Sequence, residues 1–272
     1  MSMIQIDHLT RDYGSGKGIF DLTLHVEKGE VFGFLGPNGA GKTTTIRHLM
    51  GFLNQEAGTC KIDGMDAWEQ RELIQASLGY IPGEISFFED MTGLEFLKFS
   101  KDYRHLSADN RMAEMMDRFE LDPKGKIKKM SKGTKQKLGI VAAFMHDPSI
   151  LILDEPTSGL DPLMQNRFIE LIAEEKQKGK TIFLSSHMFE EVEKTCDRIG
   201  IIRKGRLVTV EAVDVLRDRH MHTYQVQLDD AETALAFAND FNGQPQGNRV
   251  TVSAKKGLDQ IFMDYYGGNN HD

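Results

Sequence analysis

The sequence predicts an α/β protein with a parallel-sheet core, an antiparallel β part near the N-terminus, a mostly helical insertion and a small C-terminal α+β extension. Three observations predict the core. The apolar run Val31–Leu35 leads into a glycine-rich loop and then into helical spacing, so a strand ends where a helix begins. Ile150–Leu153 is a short continuous apolar run, which is typical of a strand buried on both faces of a parallel sheet, and Thr181–Leu184 predicts a further buried strand.

Length and composition limit the class of protein. The 272 residues are enough for one large domain or two smaller ones, and 40% of them are hydrophobic, an ordinary share for a globular protein. No run approaches the roughly 18 consecutive apolar residues of a membrane span. Met1–Asp7 lacks the basic and then apolar layout of a secretory signal, so we expect the protein in the cytoplasm.

Charge and cysteine content exclude further classes. The formal net charge of −8 argues against a general affinity for nucleic acid, which depends on Lys and Arg to neutralise phosphates. Cys60 and Cys196 have no metal-binding or redox spacing, so we interpret them as reduced structural thiols.

The N-terminal segment predicts two half-buried strands. Met3–Leu9 and Leu22–Val26 alternate apolar and polar residues, as strands of an antiparallel sheet do. We interpret Arg11–Gly18 between them as a loop, and Gly58–Gly64 as a further strand and turn. Tyr13 in that loop is either an ordinary packing residue or a flat surface on which an adenine stacks.

The glycine-rich loop has the complete phosphate-loop (P-loop) pattern of nucleoside triphosphatases. Its glycines let backbone N–H groups turn inward at a helix N-terminus, where the helix dipole favours a phosphate. Lys42 adds a positive charge for the β- and γ-phosphates, and the Thr43 hydroxyl is a ligand for Mg²⁺. The predicted nucleotide-binding residues of this loop are Gly36, Pro37, Asn38, Gly39, Ala40, Gly41, Lys42, Thr43 and Thr44.

The segment from 92 to about 145 is predicted to be mostly helical. Thr92 and Glu95 fit a capping box at the start of the first helix. Two sets at helical spacing predict buried stripes, and we interpret the methionines as core rather than as metal ligands: Phe96, Leu97, Phe99 and Tyr103, then Met112, Met115, Met116 and Phe119.

Acidic residues follow the buried strand at 150–153. Asp154 and Glu155 lie where open α/β sheets place their ligands, at the carboxyl end of a strand. Asp154 is expected to hold Mg²⁺, and Glu155 to orient or deprotonate an attacking water. His187 follows the strand at 181–184, which we expect to neighbour the strand that carries Glu155.

The sequence pattern of the C-terminal part predicts a small βαβα unit. It contains no group of residues that indicates catalysis, so we expect a bracing or regulatory role for it. Its predicted elements are a strand at Tyr224–Leu228, a helix at Ala231–Phe241, a strand at Arg249–Ser253, a helical stripe at Leu258, Ile261, Phe262 and Tyr265, and a frayed end at 267–272.

With these motifs in view, residues 1–215 resemble the ATP-binding subunits of ABC transporters. Met130–Lys137 resembles the family signature LSGGQ, Ser158–Asp161 matches its D-loop, and His187 its switch histidine. The resemblance implies a RecA-like P-loop core with an antiparallel β subdomain, a helical subdomain over about 84–145, and an extension at 216–272.

The resemblance also implies a mechanism. ATP and Mg²⁺ would be bound, with Lys42, Glu155 and His187 as the catalytic residues. Two subunits, identical or different, would pack head to tail, so that Ser131 and the Gly133 N–H contact the γ-phosphate held by the partner. Hydrolysis would drive solute transport, with export favoured, through a separate integral membrane subunit at the cytoplasmic face of the cell membrane.

Two departures from the family pattern stand out. Gly83 occupies the place of the Q-loop glutamine, so we expect slow but not absent hydrolysis, with Glu84 or water filling the gap. Lys132 replaces the first glycine of the signature and Thr134 its glutamine, and a lysine there resembles the ATPase subunits of exporters. The apolar loop Ile85–Phe88 either docks the membrane partner or folds back onto the helical subdomain.

Two other functions fit the sequence less well. One is a soluble ATP-driven clamp on ribosomes or DNA: translation-type relatives usually carry two ATPase domains and DNA-repair types a long coiled-coil insertion. Neither feature is visible in the sequence, and the acidic balance also disfavours this function. A GTPase or a kinase would leave the signature, the D-loop and His187 unexplained.

Overall fold

The computed structural model describes residues 2–106, 110–219, 221–240 and 243–255. The chain divides into two compact units, Met1–Val210 and Glu211–Asp272. The predicted helical stripe at Leu258–Tyr265 and the predicted frayed end at 267–272 lie outside the described residues.

The strands up to residue 212 form two sheets. In chain order they are β1 (Ser2–Asp12), β2 (Gly18–Glu27), β3 (Val31–Leu35), β4 (Ala57–Ile62), β5 (Met65–Asp66), β6 (Gly79–Ile81), β7 (Ile150–Asp154), β8 (Thr181–Ser186), β9 (Arg198–Arg203) and β10 (Arg206–Ala212). One sheet has the strand order β2-β1-β4-β5, and the other has the order β10-β9-β3-β8-β7-β6.

The helices of this part connect the strands and form the insertion. They are α1 (Lys42–Leu49), α2 (Arg71–Ser77), α3 (Gly93–Tyr103), α4 (Asn110–Arg118), a short 3₁₀ helix (Ile127–Lys129), α5 (Lys132–Phe144), α6 (Pro162–Gln177) and α7 (Phe189–Thr195). In the part of the chain that the structure describes, no helix is both long and apolar enough to cross a membrane.

The four-stranded sheet confirms the antiparallel prediction. β1 pairs antiparallel with β2 and with β4. The predicted loop Arg11–Gly18 is shorter than expected, because Arg11 and Asp12 extend β1 and Gly18 begins β2 through the pairs Arg11–Ile19 and Asp12–Gly18. Alternation alone did not reveal these pairs, since β1 contains irregularities in its register.

The six-stranded sheet forms the core. β3 pairs in parallel with β8 and β9, and β7 pairs in parallel with β8 and β6. Every residue of β3, β7 and β8 is buried, as their continuous apolar runs predict. Phe32 and Phe34 both contact the ring of Phe183, with centroids 5.8 and 5.4 Å apart. The carboxyl ends of β3, β8 and β7 therefore lie side by side.

The helical insertion begins where the sequence predicts, but the face that α3 buries differs from the predicted one. The Thr92 hydroxyl accepts from the Glu95 N–H and the Glu95 carboxylate from the Thr92 N–H, which completes the capping box. Leu97 is fully buried, but the predicted buried stripe on α3 is wrong, because Phe99 is 45% exposed and Tyr103 77% exposed. For the second stripe, on α4 and the turn after it, the prediction is confirmed for Met115 and Phe119, which are fully buried, while Met112 and Met116 are half-buried.

The apolar loop before α3 divides between its two predicted outcomes. Ile85 packs so closely on α5 that a Cβ on Gly139 would lie 2.4 Å from its Cδ1. Phe87 contacts the ring of Phe96 edge-on, with centroids 4.9 Å apart. Phe88 stays 56% exposed, although its ring meets that of Phe99 at 5.6 Å. Part of the loop folds back and part remains open.

The second unit contains α8 (Val213–Arg219), β11 (Met221–Gln227), α9 (Ala231–Asp240), β12 (Gln244–Gln246) and β13 (Arg249–Lys255). Its sheet has the order β11-β13-β12, and α9 contributes Ala234 and Ala238 to a small core with Val250. The predicted strand, helix and strand are present; α8 and β12 are additions to the prediction.

Candidate functional site

Three neighbouring strand ends bring the predicted chemistry together. The phosphate loop follows β3, Asp154 ends β7 and is followed by Glu155, and His187 follows β8. Since β8 lies between β3 and β7 in a parallel sheet, all of these residues are delivered to one edge. The predicted proximity of the strands that carry Glu155 and His187 is confirmed.

The phosphate loop has the geometry of an anion site. Gly39 and Gly41 have φ angles of 79° and 113°, in the left-handed region that favours glycine. Gly41 is the N-cap of α1 and makes no side-chain cap hydrogen bond. The first N–H groups of α1 therefore remain available to a ligand, at the end where the helix dipole favours negative charge.

Lys42 is held inside the loop. Its ammonium group is buried and donates to the carbonyls of Gly36, at 2.6 Å, and Pro37, at 3.2 Å. It also lies 3.3 Å from Oε1 of Glu155. The loop carbonyls thus fix a positive charge directly opposite the acidic strand end.

Glu155 lies between two partners. Its Oε2 is 3.2 Å from Nδ1 of His187, while its Oε1 faces Lys42. The residue has a φ of 48°, and its N–H donates to the Ser185 carbonyl at 3.1 Å. A left-handed turn fixed from the neighbouring strand therefore aims the carboxylate at the phosphate loop and at His187.

Asp154 fits a cation. The side chain is fully buried; Oδ1 accepts a hydrogen bond from the Ser185 hydroxyl, but Oδ2 is buried without a hydrogen-bond partner among the described residues. Those residues contain no group of three or more His, Cys, Asp or Glu side chains that could hold a metal ion by themselves. An ion beside Asp154 and Thr43 would take its other ligands from phosphate oxygens and water, as Mg²⁺ in nucleotide-binding proteins usually does.

A cavity of about 440 Å³ joins the predicted nucleotide-binding residues. Tyr13 stands at one end, 51% exposed, with the Arg11 guanidinium 5.3 Å from its ring centroid. The residues that line the cavity are Tyr13, Lys17, Gly18, Asn38, Gly39, Gly41, Lys42, Thr43, Thr44 and Glu155.

Three predicted loop residues support the cavity from behind. Gly36 and Pro37 supply the carbonyls that hold Lys42. A Cβ on Gly36 would lie 2.6 Å from the Ile202 carbonyl, so the loop needs glycine there. The Ala40 N–H donates to the Pro37 carbonyl at 3.1 Å.

Gly83, which stands where the family has the Q-loop glutamine, borders a second cavity of about 340 Å³. A Cβ on Gly83 would lie 3.0 Å from Oδ2 of Asp154. Burial, together with the charge of Asp154, raises the pKa of Tyr80 to about 12, so its phenol stays neutral. The lining residues are Asn38, Thr43, Arg47, Tyr80, Pro82, Gly83, Glu84 and Glu155.

The signature residues lie apart from the phosphate loop. Ser131 is the N-cap of α5 and accepts from the Thr134 N–H at 3.1 Å. Gly133 packs on the D-loop, where a Cβ would lie 2.8 Å from the Gly159 carbonyl. Lys132 donates to the Ser158 hydroxyl at 3.1 Å. Neither Ser131 nor Gly133 lines the two cavities described above.

The sequence prediction missed Lys17, Arg11 and Ser185. Lys17 follows two glycines in the Tyr13 loop, and a basic residue in such a loop is a signal that was available. Arg11 lies near the end of β1, two residues before Tyr13, and its guanidinium covers the ring of Tyr13. The bond from Ser185 to Asp154 depends on the register of β7 with β8, which one sequence does not display.

The lysine-rich run before the signature is an exposed surface, as predicted for Lys124, Lys126 and Lys128. Lys128 pairs with Asp90 at 3.0 Å and Lys126 with Glu95 at 3.8 Å. The run therefore meets acidic residues of its own chain.

Comparison with known proteins identifies the family. The sequence pattern of the family described as ABC transporter matches residues 19–158. The chain is 36% identical over 241 residues to the bacitracin transport ATP-binding protein BcrA of Bacillus licheniformis, covering 87% of this chain and 78% of that protein. It is 37% identical over 255 residues to the linearmycin resistance ATP-binding protein LnrL of Bacillus subtilis (strain 168), covering 92% and 82%.

A solved structure of the ATP-binding subunit of an ABC transporter matches with a TM-score of 0.74 at 32% identity, covering 80% of this chain and 93% of that one. The predicted P-loop core with its antiparallel and helical subdomains is thereby confirmed. Together with a phosphate loop facing an acidic strand end, these similarities show that the chain belongs to the ATP-binding proteins of ABC transporters and is a transport-coupled ATPase.

Proposed function

We propose that the cavity beside the phosphate loop binds ATP with its adenine on Tyr13 and its phosphates on the loop. One face of the Tyr13 ring is covered by Arg11, which leaves the other for a base. The loop N–H groups and Lys42 would bind the β- and γ-phosphates. Thr43 and Asp154 would hold Mg²⁺, which neutralises phosphate charge when bound.

The carboxylate of Glu155, within 3.3 Å of Lys42 and 3.2 Å of His187, is the observation that carries the catalytic proposal. A water placed between Glu155 and the γ-phosphate would lose its proton to the carboxylate as its oxygen bonds to phosphorus. The bond to the β-γ bridging oxygen breaks, giving ADP and phosphate. His187 orients the carboxylate and contacts the γ-phosphate side of the site.

Dimerisation would complete the site. The chain has one phosphate loop and one signature, and Ser131 and Gly133 are absent from the lining of the cavity. A head-to-tail pair, of two identical chains or of this chain with another ATPase, would bring the signature of each subunit to the γ-phosphate held by the other.

A groove on the first unit supports docking of a separate integral membrane subunit at the cytoplasmic face of the membrane. Its volume is about 570 Å³, and Phe52 and Tyr80 meet edge-on in its wall, with centroids 5.8 Å apart. The lining residues are Met50, Phe52, Glu72, Gln75, Ala76, Tyr80, Tyr103, Arg104 and His105. Exposed Phe88 and Phe99 extend the aromatic surface, which suits a short amphipathic helix.

Export is the proposed direction of transport. One relative is named for linearmycin resistance and another for bacitracin transport, and removal of a toxic solute fits both names. The lysine at position 132 of the signature favours the same direction by resemblance. A role in nucleic-acid binding is not proposed, because the chain carries a net charge of −8.

The Glu155→Gln variant tests the catalytic and dimer proposals together. We expect hydrolysis to slow by about 10²–10⁴-fold, because the general base is lost. ATP should then accumulate a dimer in sedimentation velocity. Glu69→Gln, which removes an exposed carboxylate, is the control and should behave as the parent chain. A Glu155→Gln variant that hydrolyses ATP at the parental rate would contradict the catalytic proposal.

Co-purification tests the membrane partner. The tagged chain, extracted gently with detergent from its own host, should retain a multi-span membrane protein. The double variant Phe99→Ser, Tyr103→Ser should lose that protein while keeping ATP hydrolysis. Recovery of ribosomal proteins or nucleic acid, with nothing from the membrane, would overturn the proposal and favour a soluble clamp.

A further inference from the structure

The segment after Glu155 is held from several directions. Gln136 on α5 donates to the Pro156 carbonyl at 2.6 Å, and Lys132 donates to the Ser158 hydroxyl at 3.1 Å. Thr157, which lies between them, is buried and interacts with the side chain of Glu191 on α7. The position of Glu155 therefore depends on contacts from both α5 and α7.

Glu191 also contacts the loop that carries His187. Its carboxyl is 3% exposed, and Oε2 accepts from the Ser186 hydroxyl at 2.7 Å. Ser186 in turn accepts from the Met188 N–H at 2.9 Å, so its hydroxyl spans the residues on both sides of His187. Oε1 of Glu191 is buried without a hydrogen-bond partner in the described part of the chain.

The surroundings of Glu191 favour its neutral form. Burial raises the pKa of its carboxyl to about 7; the Ser186 and Thr157 hydroxyls act in the opposite direction, and the negative charge of Glu155 raises it further. The charge of Glu191 also acts on the buried thiol of Cys196, whose own pKa burial raises to about 12. Among the described residues, Glu155 is the charged group that raises the pKa of the Glu191 carboxyl.

We propose that Glu191 is a positioning residue that joins the His187 loop to the segment after Glu155 and keeps the two catalytic side chains in contact. It does not itself reach the nucleotide, since it is absent from the lining of the ATP cavity. In its neutral form it links Ser186 and Thr157 without adding charge. In its ionised form it places a buried negative charge near the partly exposed carboxylate of Glu155, and the repulsion between the two loosens the arrangement. The inference rests on the proposed roles of Glu155 and His187.

A comparison of kcat with KM tests the positioning role. Glu191→Ala removes both links, and we expect kcat to fall about tenfold while KM for ATP changes less than twofold, because the phosphate loop is untouched. Glu191→Gln keeps the shape and hydrogen-bonding capacity, so kcat should return to within about threefold of the parent. Parental kcat in Glu191→Ala, or a rise in KM that matches the loss in kcat, would overturn the inference.

A pH series tests the proton on Glu191 without reference to activity. The pKa of the folded protein, about 7, lies above the 4.5 of an ordinary glutamate, so folding takes up a proton between these values and stability falls as pH rises through them. Gln cannot titrate. We therefore expect the Tm of Glu191→Gln minus the Tm of the parent to increase from pH 5 to pH 7.5 and to stay constant at higher pH. A difference that is the same at every pH would contradict the inference.

A second variant covers the case in which Glu191→Ala does not fold. The Thr157 hydroxyl favours the ionised form of the Glu191 carboxyl. Thr157→Val keeps the shape of the side chain but removes that hydroxyl. In this background the midpoint of the pH-dependent Tm difference between chains with and without Glu191→Gln should move to higher pH. An unchanged midpoint would contradict the proposed link between Glu191 and Thr157. If the parent chain hydrolyses ATP normally while both variants behave as the parent, only this inference fails. If the parent binds ATP but Glu155→Gln leaves hydrolysis intact, the proposed function fails.

Discussion

Gly83 leaves the buried carboxylate of Asp154 beside an open cavity. A side chain at position 83 would crowd this carboxylate, because its Cβ would lie 3.0 Å from Oδ2 of Asp154. A small shift of the Asp154 side chain would relieve that contact. If Mg²⁺ binds beside Asp154 as proposed, water or Glu84, which lines this cavity, would take the place of the missing amide.

Restoring the amide tests whether its absence slows hydrolysis. We expect Gly83→Gln to raise the steady-state ATPase rate, because the amide would be added beside Asp154, where the proposed Mg²⁺ and the attacking water would lie. Gly83→Ala introduces the same crowding without the amide and should leave the rate level or lower it. Equal rates in Gly83→Gln and the parent chain would mean that the missing side chain is not limiting.

Tyr13 offers a measurable contribution to nucleotide affinity. Stacking of a base on an aromatic side chain contributes about 1–3 kcal/mol, so Tyr13→Ala should weaken ATP binding by about 5- to 150-fold in calorimetry. Tyr13→Phe keeps the stacking face and should bind within about twofold of the parent. If Tyr13→Ala binds ATP normally, Tyr13 is a packing residue.

At the scale of elements, an ion-pair network joins α4 to α6. Glu175 on α6 is fully buried; its carboxylate accepts from Arg111 at 2.5 Å and from Lys178 at 2.8 Å, and it is ion-paired with Lys180. Burial acts to raise the pKa of Glu175, but the side-chain interactions with Lys178 and Lys180 and the positive charges of Lys180 and Arg111 outweigh it, so the pKa is lowered. The carboxylate is thus ionised where the helical insertion meets the core.

Removal of Glu175 should be costly. Breaking a buried pair leaves uncompensated charge, and we expect Glu175→Ala to lower the free energy of unfolding by about 3–5 kcal/mol in urea at pH 7. Because its pKa is lowered, the contribution of Glu175 is present above pH 4.5 and is lost as pH falls below it, so the two chains should converge in acid. Glu174→Gln, which breaks an exposed pair with Arg118, should cost less than about 1 kcal/mol.

Sequence patterns predicted the elements better than their exposed faces. The phosphate loop and the Asp154-Glu155 pair were predictable because their chemistry is local to one loop and one strand end. The stripe on α3 was not, since Phe99 and Tyr103 have helical spacing but the core covers only the face of Leu97. Likewise, nothing near Glu191 in the sequence indicates that it meets Thr157, which lies 34 positions earlier.

At the scale of the whole molecule, the chain has two compact units with separate cores. The residues proposed for ATP binding and hydrolysis all lie in the first unit, Met1–Val210. The second unit has its own three-stranded sheet and helix. Hydrolysis therefore draws no described side chain from the extension, which leaves a bracing or regulatory role as the proposal for it.

Truncation after Arg219 tests this division of labour. The shortened chain keeps β10 and α8 and should bind ATP with a Kd within about twofold of that of the full chain, because Tyr13 and the phosphate loop are retained. The full chain carrying Glu232→Gln, an exposed change on α9, is a control for the second unit. Loss of ATP binding on truncation would show that the extension supports the site.

The left-handed backbone at Glu155 has a consequence for how this protein can evolve. Most L-residues avoid a φ of 48°, and β-branched residues avoid it most, whereas glycine, asparagine and aspartate accept it. Inactive sequences at this codon should therefore divide into two populations. Substitutions that tolerate this φ keep the fold and lose only the proposed proton acceptor. Substitutions by valine or isoleucine also disturb the backbone at the strand end, so a compensating change must restore both the backbone turn and a proton acceptor.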